Sequence, residues 1–217
     1  MMEAILFYFI PIFAGIAFFA SLTIYLRQPV PLYLRLLSFY LLFDCINESY
    51  TNYLAFHIRN TVLLSSLSTI VAFCFFLYLV RAVIHGPKAK RILFYCLLGF
   101  PLISIGNIFL VQKTEVFQTM TYSLGCLLVV AACIYYFLEL FRSRSYVNLL
   151  REPAFWICSG LLFYSACTFP VYGLINFISF EKSIILVILY ILDFINILLY
   201  LSFTIAFLCR LRTRKSL

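Results

Sequence analysis

Seven apolar segments, with almost all basic residues on one side of the pattern they make, constrain this chain more than any motif in it. Stretches of roughly 20 apolar residues read as bilayer-spanning helices. Seven are present, at about 4–26, 32–55, 61–84, 92–112, 117–141, 154–178 and 184–209. Of the 16 Lys and Arg residues, Arg27 and Arg35 fall between segments 1 and 2, and Arg81, Lys88, Lys90 and Arg91 between 3 and 4. Arg142, Arg144 and Arg151 fall between 5 and 6, and Arg210, Arg212, Arg214 and Lys215 in the tail. Only Arg59, Lys113 and Lys182 belong to the other side. The positive-inside rule puts the larger set in the cytoplasm. An even number of spans would separate the tail from the 3–4 connection, so count and charge bias support each other. The expected fold is all-α: a single seven-transmembrane-helix bundle, N-terminus outside, C-terminus cytoplasmic, in the inner (plasma) membrane.

That pattern leaves little for anything else. Charged residues make up 11% of the chain, against about a quarter in soluble domains. The longest connection, about Arg142 to Pro153, cannot hide a kinase, cyclase or nuclease domain. The net charge of +8 is mostly juxtamembrane, which makes anionic lipid of the bilayer the partner rather than nucleic acid. The first segment lacks a basic leader and stays apolar too long for a cleaved signal peptide. All eight cysteines lie in or at the ends of apolar segments, which predicts small packing residues rather than disulfides. Cys209, bordering the basic tail, is in addition a candidate for palmitoylation. Pro11, Pro101 and Pro170 fall inside spans and predict kinks. Trp156 reads as an interface anchor.

The candidate site comes from three carboxylates inside spans: Asp44, Glu48 and Asp193. Glu139, three residues before Arg142, reads as half of a helix-surface ion pair. At about 1.5 Å per residue and an apolar core of about 30 Å, Asp44 and Asp193 lie roughly 18 and 16 Å from the cytoplasmic edge, and Glu48 one turn further out. A short string recurs: Asp44-Cys45-Ile46-Asn47 and Asp193-Phe194-Ile195-Asn196. It predicts the same polar pair at the same depth on facing helices 2 and 7. Asp44, Glu48 and Thr51 share a face, with Asn47 beside them. Asp193, Asn196, Tyr200 and Thr204 share another, and helix 6 supplies Ser165, Thr168, Tyr172 and Asn176. Helix 4 adds Ser104 and Asn107. Polar stripes on long apolar helices face the bundle interior or a wet cavity. A midplane aspartate costs about 2.5–3.5 kcal/mol on insertion scales, and no Lys or Arg lies at this depth. These carboxylates must therefore be protonated, hold a cation or accept several hydrogen bonds. The site set is Asp44, Asn47, Glu48, Thr168, Tyr172, Asp193, Asn196 and Tyr200, binding a ligand, proton or cation. The bland alternative is neutral acids joining helices.

No span contains a lysine, which excludes a retinal-type Schiff base. His57 and His85 fall at opposite ends of the bundle and cannot share a metal. Zincin, nucleophile-elbow and phosphate-loop signatures are absent, and no catalytic residue, cofactor or metal is assigned.

In the C-terminal half, Glu139-Leu140, Asn148-Leu149-Leu150, Pro153-Ala154-Phe155-Trp156-Ile157, Gly160-Leu161-Leu162, Asn196-Ile197-Leu198-Leu199-Tyr200 and Phe207-Leu208-Cys209 resemble a family of small bacterial seven-helix membrane proteins. The resemblance covers roughly residues 100–210. It implies the same topology and work beside a sensor kinase, and it implies no established activity. The first functional reading is thus a sensory or regulatory membrane protein, signalling through a membrane or cytoplasmic partner at the basic inner face. A small-solute or proton-coupled transporter is the second. An intramembrane carboxylate-dependent lipid hydrolase is the third.

Overall fold

A computed structural model describes residues 2–26, 30–57, 61–110, 118–142, 149–174 and 182–213. These residues form seven α-helices and no strand: α1 (Met2–Leu22), α2 (Leu32–His57), α3 (Val62–Val83), α4 (Pro87–Leu110), α5 (Thr119–Arg142), α6 (Pro153–Leu174) and α7 (Lys182–Thr213). Short 3-10 turns at Thr23–Leu26 and Leu149–Arg151 follow α1 and precede α6. Arg27, Arg59, Lys113, Arg144, Arg214 and Lys215 lie outside the described residues, as do Glu115, Asn148, Asn176 and Glu181.

One boundary differs usefully from its expectation. α4 begins at Pro87 rather than near 92. Proline at the first helical position loses no hydrogen bond and has the right φ already. Lys88, Lys90 and Arg91 therefore occupy the opening turns of a helix, not a loop. α1, α4 and α6 run through Pro11, Pro101 and Pro170 without interruption.

Five helices, α3 to α7, are long and apolar enough to cross a membrane. α1 contributes a shorter apolar stretch, Ile10–Tyr25. α2 has the length, with 26 residues, but Asp44, Asn47, Glu48 and Asn52 dilute its apolarity. Large side chains point outward all around the bundle: Phe19, Phe39, Leu102, Met120, Phe141 and Phe194 are exposed. A water-soluble protein does not expose so much contiguous apolar surface, and lipid is its natural cover. The protein is an all-α bundle of membrane type.

α6 packs along α5 and α7, α1 along α2 and α7, and α3 along α4 and α5, while α2 and α3 touch sparingly. Small residues bring the helices together. A Cβ on Gly160 of α6 would stand 2.6 Å from the Ser202 Cβ of α7, and one on Gly125 of α5 would stand 2.7 Å from the Phe73 ring of α3. None of the eight cysteines is in a disulfide, and Cys126, Cys133 and Cys158 are buried among the packed helices.

One end of the bundle is basic, and its contacts show which termini meet there. The backbone N–H of His85, after α3, donates to Glu139 Oε2 near the end of α5 (2.9 Å). Glu139 thus ties α5 to the α3–α4 turn. It does not form the expected helix-surface pair with Arg142, because the exposed amide after α3 lies within its reach. Arg81 Nε donates to the Lys90 carbonyl (3.1 Å), with its guanidinium over the Phe94 ring. The Leu150 carbonyl accepts from Trp156 Nε1 (3.0 Å) and Cys209 Sγ (3.2 Å), fastening the start of α6 to α7.

Candidate functional site

Below the far end of the bundle, between α2, α3, α5, α6 and α7, lies a cavity of about 500 Å³. α2 lines it with Tyr40, Asp44, Asn47, Glu48 and Thr51, and α3 with Ser65, Ser68, Thr69, Ala72, Phe73 and Phe76. Thr119 and Tyr122 come from α5, Tyr164 and Tyr172 from α6, and Asn196, Leu199, Tyr200 and Phe203 from α7. The α2 set falls on one face because its members recur at helical spacing. From Tyr40 to Thr51 it spans about 16 Å along the axis at the helical rise. Thr119 is the first residue of α5 and Ser65 the fourth of α3, so the cavity reaches the end remote from the basic turns.

The wall has two chemistries. On one side Asp44 Oδ2 accepts a 2.6 Å hydrogen bond from the Tyr200 hydroxyl, a short charge-assisted bond if the acid is ionised. Tyr40 lies beside the same carboxylate. One turn further along, Glu48 is within electrostatic range of both Asp44 and Asp193. Ser68 Oγ is 2.8 Å from Asn47 Oδ1 and 2.9 Å from the Leu64 carbonyl. One hydroxyl proton serves only one of these acceptors at a time. The Thr51 hydroxyl oxygen is buried and has no hydrogen-bond partner among the described residues.

The other side is aromatic. The Tyr122 and Tyr164 hydroxyls are 2.8 Å apart, and the Tyr122 and Tyr172 rings lie 4.0 Å apart at 36°. Phe76 meets Tyr164 edge-on at 6.0 Å, and Phe73 meets Tyr122 at 5.0 Å. Tyr40 stacks on Phe75 at 4.3 Å. Edge-to-face and offset contacts of this kind suit the ring quadrupoles and hold the wall rigid.

Six of the eight sequence-derived site residues thus line one cavity: Asp44, Asn47, Glu48, Tyr172, Asn196 and Tyr200. Thr168 and Asp193 are not among the lining side chains. Thr168 is fully buried, bonded to the Tyr164 carbonyl (2.8 Å) and 3.4 Å from Cys126 Sγ. Asp193 is half-buried, one turn before Asn196, and no hydrogen bond joins it to Asp44. The recurring string does not give matching roles. Asn47 meets Ser68 across the helix gap, whereas Asn196 turns its amide back to the Leu192 carbonyl of its own helix (2.9 Å). Asp44 finds Tyr200, not Asp193. Ser104 and Asn107 stay out of the cavity: Ser104 bonds the Phe100 carbonyl and Asn107 bonds Thr121. Among the described residues no three His, Cys, Asp or Glu side chains converge as a metal would require.

Sequence reasoning passed over the α3 wall. Its signal was present, since Ser65, Ser68, Thr69 and Ala72 recur at three- and four-residue spacing and make a small, hydroxyl-bearing stripe. Tyr40 and Tyr164 carried no such pattern in a chain with 16 tyrosines.

Compared with protein-family models, curated proteins and solved structures, the chain matches none.

Proposed function

We propose that this protein is a membrane sensor or regulator that binds a small ligand in the carboxylate-lined cavity and reports its occupancy to a partner at the basic end. The observation that carries this reading is the asymmetry of the cavity along the bundle axis. It reaches the far end through Thr51, Ser65 and Thr119. Toward the basic end it stops at Phe73, Phe76 and Phe203, below which Leu77, Val80, Ile157, Leu161 and Phe207 are fully buried. A site sealed toward the basic end by buried side chains suits detection better than passage. A transporter needs a second arrangement in which this plug opens.

In this reading the chain crosses a bacterial inner membrane seven times, with its N-terminus and the cavity mouth outside. The basic turns and the end of α7 are cytoplasmic, a placement supported by the one-sided Lys and Arg distribution. An impermeant thiol reagent on intact cells tests the topology: it should spare a cysteine introduced at Ser216, and labelling there would reverse the orientation. A ligand shifts an equilibrium only through different affinities for two states, so Glu48→Gln should alter what the basic end does. A photo-crosslinker at Arg91 in native membranes should capture a partner in a yield that Glu48→Gln changes. Flux or turnover by the purified protein alone in proteoliposomes, abolished by Glu48→Gln, would overturn the sensor assignment.

A further inference from the structure

We propose that the cavity takes a small organic cation, an amine or quaternary ammonium group, with Glu48 as counter-ion and the aromatic wall completing the cage. This rests on the reading of the cavity as a ligand site. Three independent features lead to it. The first is charge: among the described residues Asp44 and Glu48 both line the space, and no Lys, Arg or His side chain does. An anionic ligand would meet these two carboxylates at a depth where screening by solvent is weak.

The second is the division of labour between the two acids. Asp44 already receives the Tyr200 hydroxyl. Glu48 accepts no hydrogen bond from any described residue, yet it lines the cavity within range of two other carboxylates. Beside it, the Thr51 hydroxyl oxygen is buried without a partner. A buried acceptor left without a donor, as at Thr51, is costly, and a ligand N–H or an ammonium methyl edge would serve both Thr51 and the half-buried Glu48 carboxylate.

The third is the wall opposite. Phe76, Tyr122, Tyr164 and Tyr172 are locked against one another by ring contacts of 4.0 to 6.0 Å and by the bond between the Tyr122 and Tyr164 hydroxyls. Aromatic faces attract cations, most strongly where water is excluded, and rings grouped around one space are how quaternary ammonium groups are recognised. A metal cation fits less well, because among the described residues no three ligating side chains converge. A volume of about 500 Å³ is in the range of small-molecule sites, ample for an aryl-alkylamine.

The test uses the full chain in lipid nanodiscs and three probes with one carbon frame: phenethylamine, 2-phenylethanol and phenylacetate. Binding is read by calorimetry and by the shift in unfolding temperature. The amine should bind at least about tenfold more tightly than the alcohol, as a desolvated cation–π and ion-pair site requires, and the acid should not bind. Glu48→Gln, checked for unchanged helicity, should weaken the amine about tenfold and leave the alcohol unaffected. Ala72→Trp, which fills the cavity, should abolish binding of both. Equal affinity for amine and alcohol, no binding of the amine, or an amine affinity indifferent to Glu48→Gln would each overturn the cation assignment. Binding that survives Ala72→Trp would overturn the cavity itself as the ligand site.

Discussion

The two halves of the bundle are built from the same helices and obey different rules. Toward the basic end, α3, α6 and α7 bury Leu77, Val80, Ile157, Leu161, Ala206 and Phe207 completely. Toward the far end the same three helices present Ser65, Ser68, Thr69, Tyr164, Tyr172, Asn196 and Tyr200 to open space. In lipid no hydrophobic force draws helices together, so close packing and interhelical hydrogen bonds must do so. The packed half does that work and frees the other half to keep a void. The difference teaches that the cavity is tolerated because a separate region holds the helices in place.

The largest effects should therefore come from the packed half. Phe207→Ala should lower stability by about 3–5 kcal/mol, the range for truncating a fully buried aromatic. Denaturant unfolding in detergent, followed by the fluorescence of Trp156, measures it. A loss near zero would break the contrast between halves. Gly160→Val should cost about 1–3 kcal/mol by overpacking, since a Cβ there would stand 2.6 Å from Ser202 Cβ. The same unfolding assay reads it, and Ser202→Gly in the same chain should restore part of the loss.

Cavity substitutions should be milder for folding. Tyr200→Phe should cost about 1 kcal/mol, in line with interhelical hydrogen bonds in membranes. A double-mutant cycle with Asp44→Asn isolates the coupling, and an absent coupling would detach Tyr200 from Asp44. The smallest change is expected at Thr51→Val, within about 0.5 kcal/mol of wild type or slightly stabilising. It removes a buried hydroxyl that has no hydrogen-bond partner among the described residues. A large loss at this position would mean the far half is held together more tightly than its contacts suggest.

Much of this division was legible in the sequence, for reasons that are local. Helix number, positions and the polar faces of α2 and α7 follow from periodicity and length, which need no neighbours. Which polar groups meet does not follow from them. Asp44 and Asp193 carry the same local string, but the partner of each depends on how α2 and α7 are rotated and spaced by α1 between them. Glu139 was misassigned for the same reason: Arg142 is its sequence neighbour, while the His85 amide is its spatial one. The α3 stripe was readable and was masked by small hydroxyls that also serve as ordinary packing residues.

The polarity of α2 has a consequence before the protein is ever folded. A segment that enters the bilayer must leave the insertion machinery for lipid, and in α2 Asp44 and Glu48 would oppose that step by a few kcal/mol apiece on insertion scales. α2 falls short of its neighbours in apolarity, whereas α3 through α7 do not. Its exit should depend on company, with α1, which packs along it and meets it where the Cys45 thiol reaches the Pro11 carbonyl (3.6 Å), acting as an intramolecular chaperone. The order of synthesis, α1 before α2, is then part of what makes the cavity-lining face attainable.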